Sequence, residues 1–291
     1  MTGASGLVGT AVSALATKRG HEVAACYNTG LPLYGAPKRI DLAKPSELVD
    51  LIRAIKPVSI IHTAALTDVD ECELQPELAE QVNGAATGEI AKAARDVSAH
   101  LTYVSTDYVF GGEEGNYNEE ATPNPLSHYG RSKLLGEKLL IESKANCCIA
   151  RPSVIYGWGR PKKPNFGLFV VNSLEEKREI KAAHELYCSP TLNTNLSEML
   201  LEIATRKLTG ILHVSGATRA SRFEFARVIA NEFELNSDLI KQTDWKNLRL
   251  RANRPRDSSL NVQKAVETLT AKPSNLNDAL RSFSRNRASM I

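Results

Sequence analysis

Apolar positions along the chain follow two periods, and they alternate. Val8, Ala11, Val12, Leu15 and Ala16 keep helical spacing until Gly20-His21, and Val23-Ala24-Ala25-Cys26-Tyr27 then runs as a short buried strand. Leu48, Leu51, Ile52 and Ile55 predict a second amphipathic helix, followed by an apolar strand over 58–62 that runs into Thr63-Ala64-Ala65. A long helix is predicted over 76–95. The next strand, over 101–104, stops at Ser105-Thr106-Asp107. Residues 111–125 are polar, contain Gly and Pro, and read as a loop. A helix over 129–143 precedes a strand over 147–154, with Pro152 near its end. Past Tyr156 the rhythm changes: 157–164 is rich in Gly, Pro and Lys and has no core periodicity. A helix over 193–207, a strand over 210–214 and a helix capped at Ser221 follow. The polar tail 281–291 is expected to fray.

Strands separated by helices of this length imply an α/β fold, a doubly wound parallel sheet with helices on both faces. The change of rhythm divides the chain into a dinucleotide-binding domain, 1–155 plus 191–216, and a smaller interleaved region, 156–190 plus 217–291. Gly3, Gly6 and Gly9 form a phosphate-binding loop before the first helix, where such a fold places a pyrophosphate. A strand should feed this loop from the centre of the sheet, yet only Met1 and Thr2 precede Gly3. The first β-strand is therefore expected to be absent, leaving a central gap, with the true start upstream or the chain truncated.

Bulk composition adds exclusions. The chain has 291 residues, of which 42% are hydrophobic and 24% charged, as in an ordinary globule. A net charge of +3 gives no support for a nucleic-acid or membrane partner. No run reaches the length of a membrane span, and no secretory signal is present. Five cysteines are an odd number in no zinc-like spacing, which points to the reducing cytoplasm and to no metal. The acidic run Asp68, Asp70, Glu71, Glu73 lacks the glycine turn of a calcium loop and reads as a solvated helix start. His62 reads as a packing or hydrogen-bonding group. Lys162-Lys163 and Arg249, Arg251, Arg254 and Arg256 read either as a solvated basic face or as cations for a diphosphate, and Arg254 is the one placed toward a substrate.

The chemistry centres on Tyr129 and Lys133, which share a helix face. An ammonium near a phenol favours the phenolate, so Tyr129 could exchange a proton with a substrate carbonyl. Thr106, at the carboxyl end of a parallel strand, could donate to the same carbonyl oxygen. The strand after the first helix ends in Tyr27-Asn28-Thr29, with no acid to hold a ribose 2′-hydroxyl, while Lys38 and Arg39 lie downstream. NADP is therefore favoured over NAD.

Several segments together resemble the extended short-chain dehydrogenase/reductase family. These are the glycine loop, His62-Thr63-Ala64-Ala65, Ser105 to Phe110, Tyr129-Gly130 with Ser132-Lys133-Leu134 and Gly136-Glu137, and Arg151-Pro152-Ser153 with Tyr156-Gly157. Asn165-Phe166, Ser189-Pro190-Thr191, Arg254-Pro255 and Ser258-Ser259-Leu260 resemble its dTDP-4-dehydrorhamnose reductase subgroup. The resemblance implies reduction of the C4 ketone of a nucleotide-linked 4-keto-6-deoxy sugar, with the nucleotide sugar as the partner molecule, and it leaves a homodimer open. It implies that Gly3, Ser5, Gly6, Leu7, Val8 and Gly9 hold the pyrophosphate. Asp41 and Leu42 would flank the adenine, and Ala64, Ala65 and Leu66 would line the cofactor cleft. Lys133 would bind the ribose, Tyr129 would donate the proton, and Thr106, Asp107 and Tyr108 would face the sugar. Val154 stands where the subgroup carries a sugar-contacting tryptophan, and Glu185-Leu186-Tyr187-Cys188 where it favours Asp-Gln. Tyr108 occupies the site at which the related 4,6-dehydratases carry glutamate. Two other roles resemble the same pattern: a sugar-nucleotide 4-epimerase, and the cofactor-binding regulatory beta subunit of methionine adenosyltransferase.

Overall fold

Short apolar runs become strands of a parallel layer, with small separate strand pairs beside it, in a computed structural model describing residues 1–159, 164–248 and 250–289. The strands are β1 (Ala24–Tyr27), β2 (Ala36–Arg39), β3 (Ser59–His62), β4 (His100–Val104), β5 (Cys147–Arg151), β6 (Ile155–Tyr156), β7 (Ile180–Ala183), β8 (Tyr187–Cys188), β9 (Thr191–Leu192), β10 (Gly210–His213), β11 (Ala220–Ser221) and β12 (Ile240–Thr243). The helices are α1 (Leu7–Lys18), α2 (Ser46–Ile55), α3 (Val69–Leu74), α4 (Pro76–Ala79), α5 (Ala86–Asp96), α6 (His128–Glu142), α7 (Phe166–Glu175), α8 (Asn193–Arg206), α9 (Arg222–Glu232), α10 (Gln263–Thr268) and α11 (Leu276–Arg285).

Strands β10, β5, β4 and β3 pair in parallel in that order, and β1 pairs in parallel with β2. Met1 and Thr2 join the two sets. Thr2 bridges in parallel to both Cys26 and His62. Its N–H donates to the Ile61 carbonyl at 3.1 Å, and the Cys26 N–H donates to the Met1 carbonyl at 2.8 Å. The expected central gap is thus corrected: two residues occupy the position of the missing strand and supply both neighbours with ladder partners. The edge strand β2, Ala-Pro-Lys-Arg, is exposed throughout and was invisible to hydrophobic patterning; its proline is tolerated at an edge.

Alternation along the strands feeds two cores. On one face Val12 and Ala16 of α1 pack with Leu196, Met199, Leu200 and Ile203 of α8 against Ile61, Val104, Ala150 and Leu212. On the other, α2, α5 and α6 bring Leu48, Ile52, Ile90, Ala94 and Leu140 against Ile60, Leu101, Tyr103 and Ile149. A third core gathers Tyr156, Val170, Val171, Phe225, Ile229, Ile240, Leu280 and Phe283 from α7, α9, α11 and the small strand pairs.

Three expectations change. The helix predicted over 76–95 is interrupted: α4 passes through a π turn, Glu80–Ala85, before α5 begins. The strand predicted over 147–154 ends at Arg151, because Pro152 cannot continue the ladder. In the tail, 281–285 are helical and Phe283 is fully buried, so this stretch is anchored by a core side chain rather than frayed, while 290–291 lie outside the described residues. Lys162, Lys163 and Arg249 lie outside the described residues.

Candidate active site

The glycine loop turns against the end of β3. Gly3 has a φ of +66°, and a Cβ there would lie 2.8 Å from the Ala64 nitrogen. At Gly9 a Cβ would sit 1.9 Å from the Gly3 carbonyl oxygen, so α1 can pass beneath the loop only as glycine. Gly6 differs: it is exposed, and a Cβ would meet only the Gly3 oxygen, at 3.3 Å. It caps α1 without a side chain. No acceptor among the described residues takes the N–H groups of Leu7, Val8 and Gly9. Three donors and the positive end of a helix dipole are therefore available to an anion, a fit for the diphosphate of a dinucleotide.

Neighbouring residues frame this loop. The Ser5 hydroxyl donates to the Thr29 carbonyl at 3.0 Å, tying the loop to the end of β1. Ala64, Ala65 and Leu66 leave β3 beside it. Asn83, in the π turn, grips both peptide groups of Leu66, accepting its N–H at 2.8 Å and donating to its carbonyl at 3.0 Å. Asp41 is exposed just past β2 and accepts the Ala43 N–H at 3.0 Å. Leu42 is a correction: its side chain is 7% exposed and packs with Ile40 and Leu48, so it belongs to the core rather than to an adenine. The Val8 side chain likewise packs on the α1–α8 core, leaving only its N–H toward the loop.

Helix α6 starts where Ser127 accepts the Gly130 N–H at 3.2 Å and Glu73 accepts the His128 N–H at 2.7 Å. The Thr106 hydroxyl, at the end of β4, lies near enough to the Tyr129 phenol to bear on its proton affinity. It also donates to Asp107 at 3.1 Å and accepts the Tyr108 N–H at 3.2 Å. One turn along α6, Lys133 is 2% exposed; its ammonium donates to the Val104 carbonyl at 2.8 Å and lies 4.1 Å from the centre of the Tyr103 ring. Gly136 makes this close approach possible, since a Cβ there would strike the Tyr103 hydroxyl at 2.5 Å and the Asn83 carbonyl at 2.6 Å.

Proton affinities follow burial. Desolvation raises the Tyr129 phenol well above its ordinary value, and nearby Thr106 is the influence that opposes it. The expected lowering is corrected: burial outweighs any help from Lys133, whose ammonium is turned to the Val104 carbonyl. Desolvation pulls Lys133 itself down to about 7, with Glu137 and Cys72 opposing. Glu137 is held by Arg151 in a two-bond fork, at 2.9 Å and 2.6 Å, and accepts from Ser105.

The substrate-side expectations divide. Tyr108 stays partly accessible and meets Tyr129 edge-on, ring centres 6.1 Å apart. Asp107 is 3% exposed, and its oxygens accept from Thr106, from Ser153 at 2.7 Å and from Ser258 at 2.6 Å. It therefore clamps three segments rather than facing a sugar. Arg254, with a side chain 12% exposed, pairs with Asp70 at 3.1 Å. That pair, with the Glu73 bond above and Asp68 capping α3, makes the acidic run a set of structural links more than a solvated face. Val154 is half-buried on the third core and adopts a φ of +38°, a strained conformation for a β-branched residue. His62 is buried between the Thr2 hydroxyl, 2.7 Å, and the Thr87 hydroxyl, 3.2 Å, in the hydrogen-bonding role expected of it. Thr87 donates to the Asn83 carbonyl, so Nε2 carries the His62 proton and Nδ1 accepts from Thr2.

Sequence reasoning missed Asn83, Glu137 as the partner of Arg151, and Arg222. Only Glu137 left a signal, inside the segment that follows Tyr129. Among the described residues no group of three or more histidine, cysteine, aspartate or glutamate side chains could hold a metal ion.

The RmlD substrate binding domain family matches residues 1–288. The chain belongs to that family. A probable low-salt glycan biosynthesis reductase, Agl14, of Haloferax volcanii is 31% identical over 96% of this chain and 95% of its own. Methionine adenosyltransferase 2 subunit beta of Rattus norvegicus is 29% identical over 92% of this chain and 81% of its own. A hypothetical dTDP-4-dehydrorhamnose reductase from Sulfolobus tokodaii has a similar structure, with TM-score 0.86 and 37% identity over 96% of this chain and 97% of that one. The dTDP-4-dehydrorhamnose reductase of Bacillus anthracis, in complex with NADP, gives TM-score 0.88 and 27% identity over 98% of this chain and 97% of that one. The fold is that of the extended short-chain dehydrogenases/reductases. No helix among the described residues is long and apolar enough to cross a membrane.

Proposed function

We propose that this chain reduces the C4 ketone of a nucleotide-linked 4-keto-6-deoxy sugar with NADPH. The observation that carries the reading is Thr106 set near the Tyr129 phenol on α6, with Asn83 joining Ser132 of the same helix to the Leu66 peptide past β3, the strand end against which the glycine loop and its three N–H groups without acceptors among the described residues are turned. The loop from Gly3 to Gly9 would hold the diphosphate, and Ala64, Ala65 and Leu66 would line the cofactor cleft. Exposed Lys38 and Arg39 on β2, with no acid at the end of β1, suit a 2′-phosphate and so favour NADP over NAD. The bound cofactor supplies the hydride. Thr106 orients the ketone oxygen, and Tyr129 delivers the proton to it as negative charge develops there. Burial keeps the phenol protonated until the alkoxide, a stronger base, develops on the ketone oxygen. Lys133 is one helical turn from Tyr129, and its amine is poised near neutrality.

Loss of NADPH absorbance with a dTDP-4-keto-6-deoxy sugar tests this reading. Tyr129→Phe should lower turnover by about a hundredfold or more and leave NADPH binding intact. Unchanged turnover, or none in the unaltered protein, would refute it. The likeness to the methionine adenosyltransferase beta subunit favours a second reading, a cofactor-binding regulatory subunit, in which association with a partner survives Tyr129→Phe.

A further inference from the structure

Arg222 is the first residue of α9, in the turn where a helix dipole disfavours a cation. Ser221 and Glu224 complete a capping box around it, so the helix end does not need an arginine. The side chain is half-buried and lies over the Phe166 ring, 5.0 Å from its centre. Its charge bears on the nearby Tyr108, and the Tyr108 ring meets Tyr129 edge-on. The cation therefore lies one aromatic ring away from the proposed proton donor.

No carboxylate among the described residues pairs with it. Arg254, the other cation near Tyr108, is tied to Asp70, and Arg256 to Glu185. Asp107 is close enough to feel the charge, but its oxygens are taken by the hydroxyls of Thr106, Ser153 and Ser258. A guanidinium carries five donors in a planar fork, which matches two oxygens of a phosphate or carboxylate. Burying such a group without an ion pair costs stability that packing against Phe166 offsets only in part.

We propose that Arg222 forms an anion subsite in the substrate cleft beside Tyr108. It takes two oxygens of an anionic group of the substrate, either a phosphate of the nucleotide or a carboxylate on the sugar. The proposal rests on the reductase reading above and adds that the substrate presents negative charge next to Tyr108.

Calorimetric titration tests it with three probes: dTDP, D-glucuronate and neutral thymidine. The variants are Arg222→Gln and Arg222→Lys, with NADPH titrated into each as the control for folding. Arg222→Gln should weaken dTDP by about tenfold or more while NADPH and thymidine affinities hold, and Arg222→Lys should fall between. A loss confined to D-glucuronate would equally support the subsite and assign it to the sugar. Equal binding of both anions by the unaltered protein and Arg222→Gln would overturn the proposal, as would failure of the unaltered protein to bind either. Turnover loss in Tyr129→Phe is read separately. The subsite can therefore fail while the reductase reading stands, and an anion effect can persist where no turnover is seen.

Discussion

Single atoms decide what the glycine loop tolerates. Adding a methyl group at Gly6 meets only the Gly3 oxygen, at 3.3 Å, whereas at Gly9 it collides with that oxygen at 1.9 Å. Gly6→Ala should therefore melt close to the unaltered protein yet bind NADPH about tenfold or more weakly, because the methyl occupies the approach of the diphosphate. Gly9→Ala should lose about 3 kcal/mol or more of stability by overpacking. Thermal melts paired with fluorescence titration of NADPH separate the two. The spacing of the three glycines was legible in the sequence. Their division of labour was not, since it depends on which face of each residue meets protein and which meets open space. Leu42 shows the same limit: its position beside Asp41 could be read, but its burial under Ile40 and Leu48 depends on how α2 returns to the sheet.

Between elements, buried polar side chains act as fasteners. Asp107 joins the end of β4 to Ser153 after β5 and to Ser258 before Leu260. Asp107→Asn keeps the shape but replaces an acceptor with a donor facing hydroxyl groups. It should cost about 2 kcal/mol, measured as a fall in denaturation midpoint with an unchanged slope. Breaking the Glu137–Arg151 fork with Glu137→Ala should cost more, about 3–5 kcal/mol, because it leaves a guanidinium buried without a partner. The sequence announced the elements these groups join: α1, α6, α8, α9 and the strands β1, β3, β4, β5 and β10 all stand where apolar periodicity placed them. It did not announce β2, which has no apolar face, or α7 and α11, whose apolar stripes fall in segments of mixed spacing. Asn83 was hidden for a related reason, because a π turn leaves no mark in a helical pattern.

At the scale of the molecule, buried histidines set the response to acid. Desolvation pushes both His62 and His213 down to about 3. Their unfolded counterparts titrate near the ordinary value, so as pH falls the unfolded chain takes up protons that the native chain refuses. Stability is therefore full above the unfolded value and is lost as pH falls below it. Between about pH 7 and about pH 5 each histidine should cost about 2 kcal/mol, seen as a falling melting temperature. Burial raises Asp107, which works in the opposite direction and softens the loss. His62→Gln should flatten the slope if His62 carries its share. The π turn at Glu80–Ala85 has its own consequence at this scale. It acts as a phase shift in one long rod. The rod holds the Leu66 peptide with Asn83 at one end and packs Ile90 and Ala94 under the sheet at the other. Excising one residue from it would rotate the downstream half by about 100°. The mouth of the cleft and the greasy underside of the sheet could then no longer be served by the same stretch of chain.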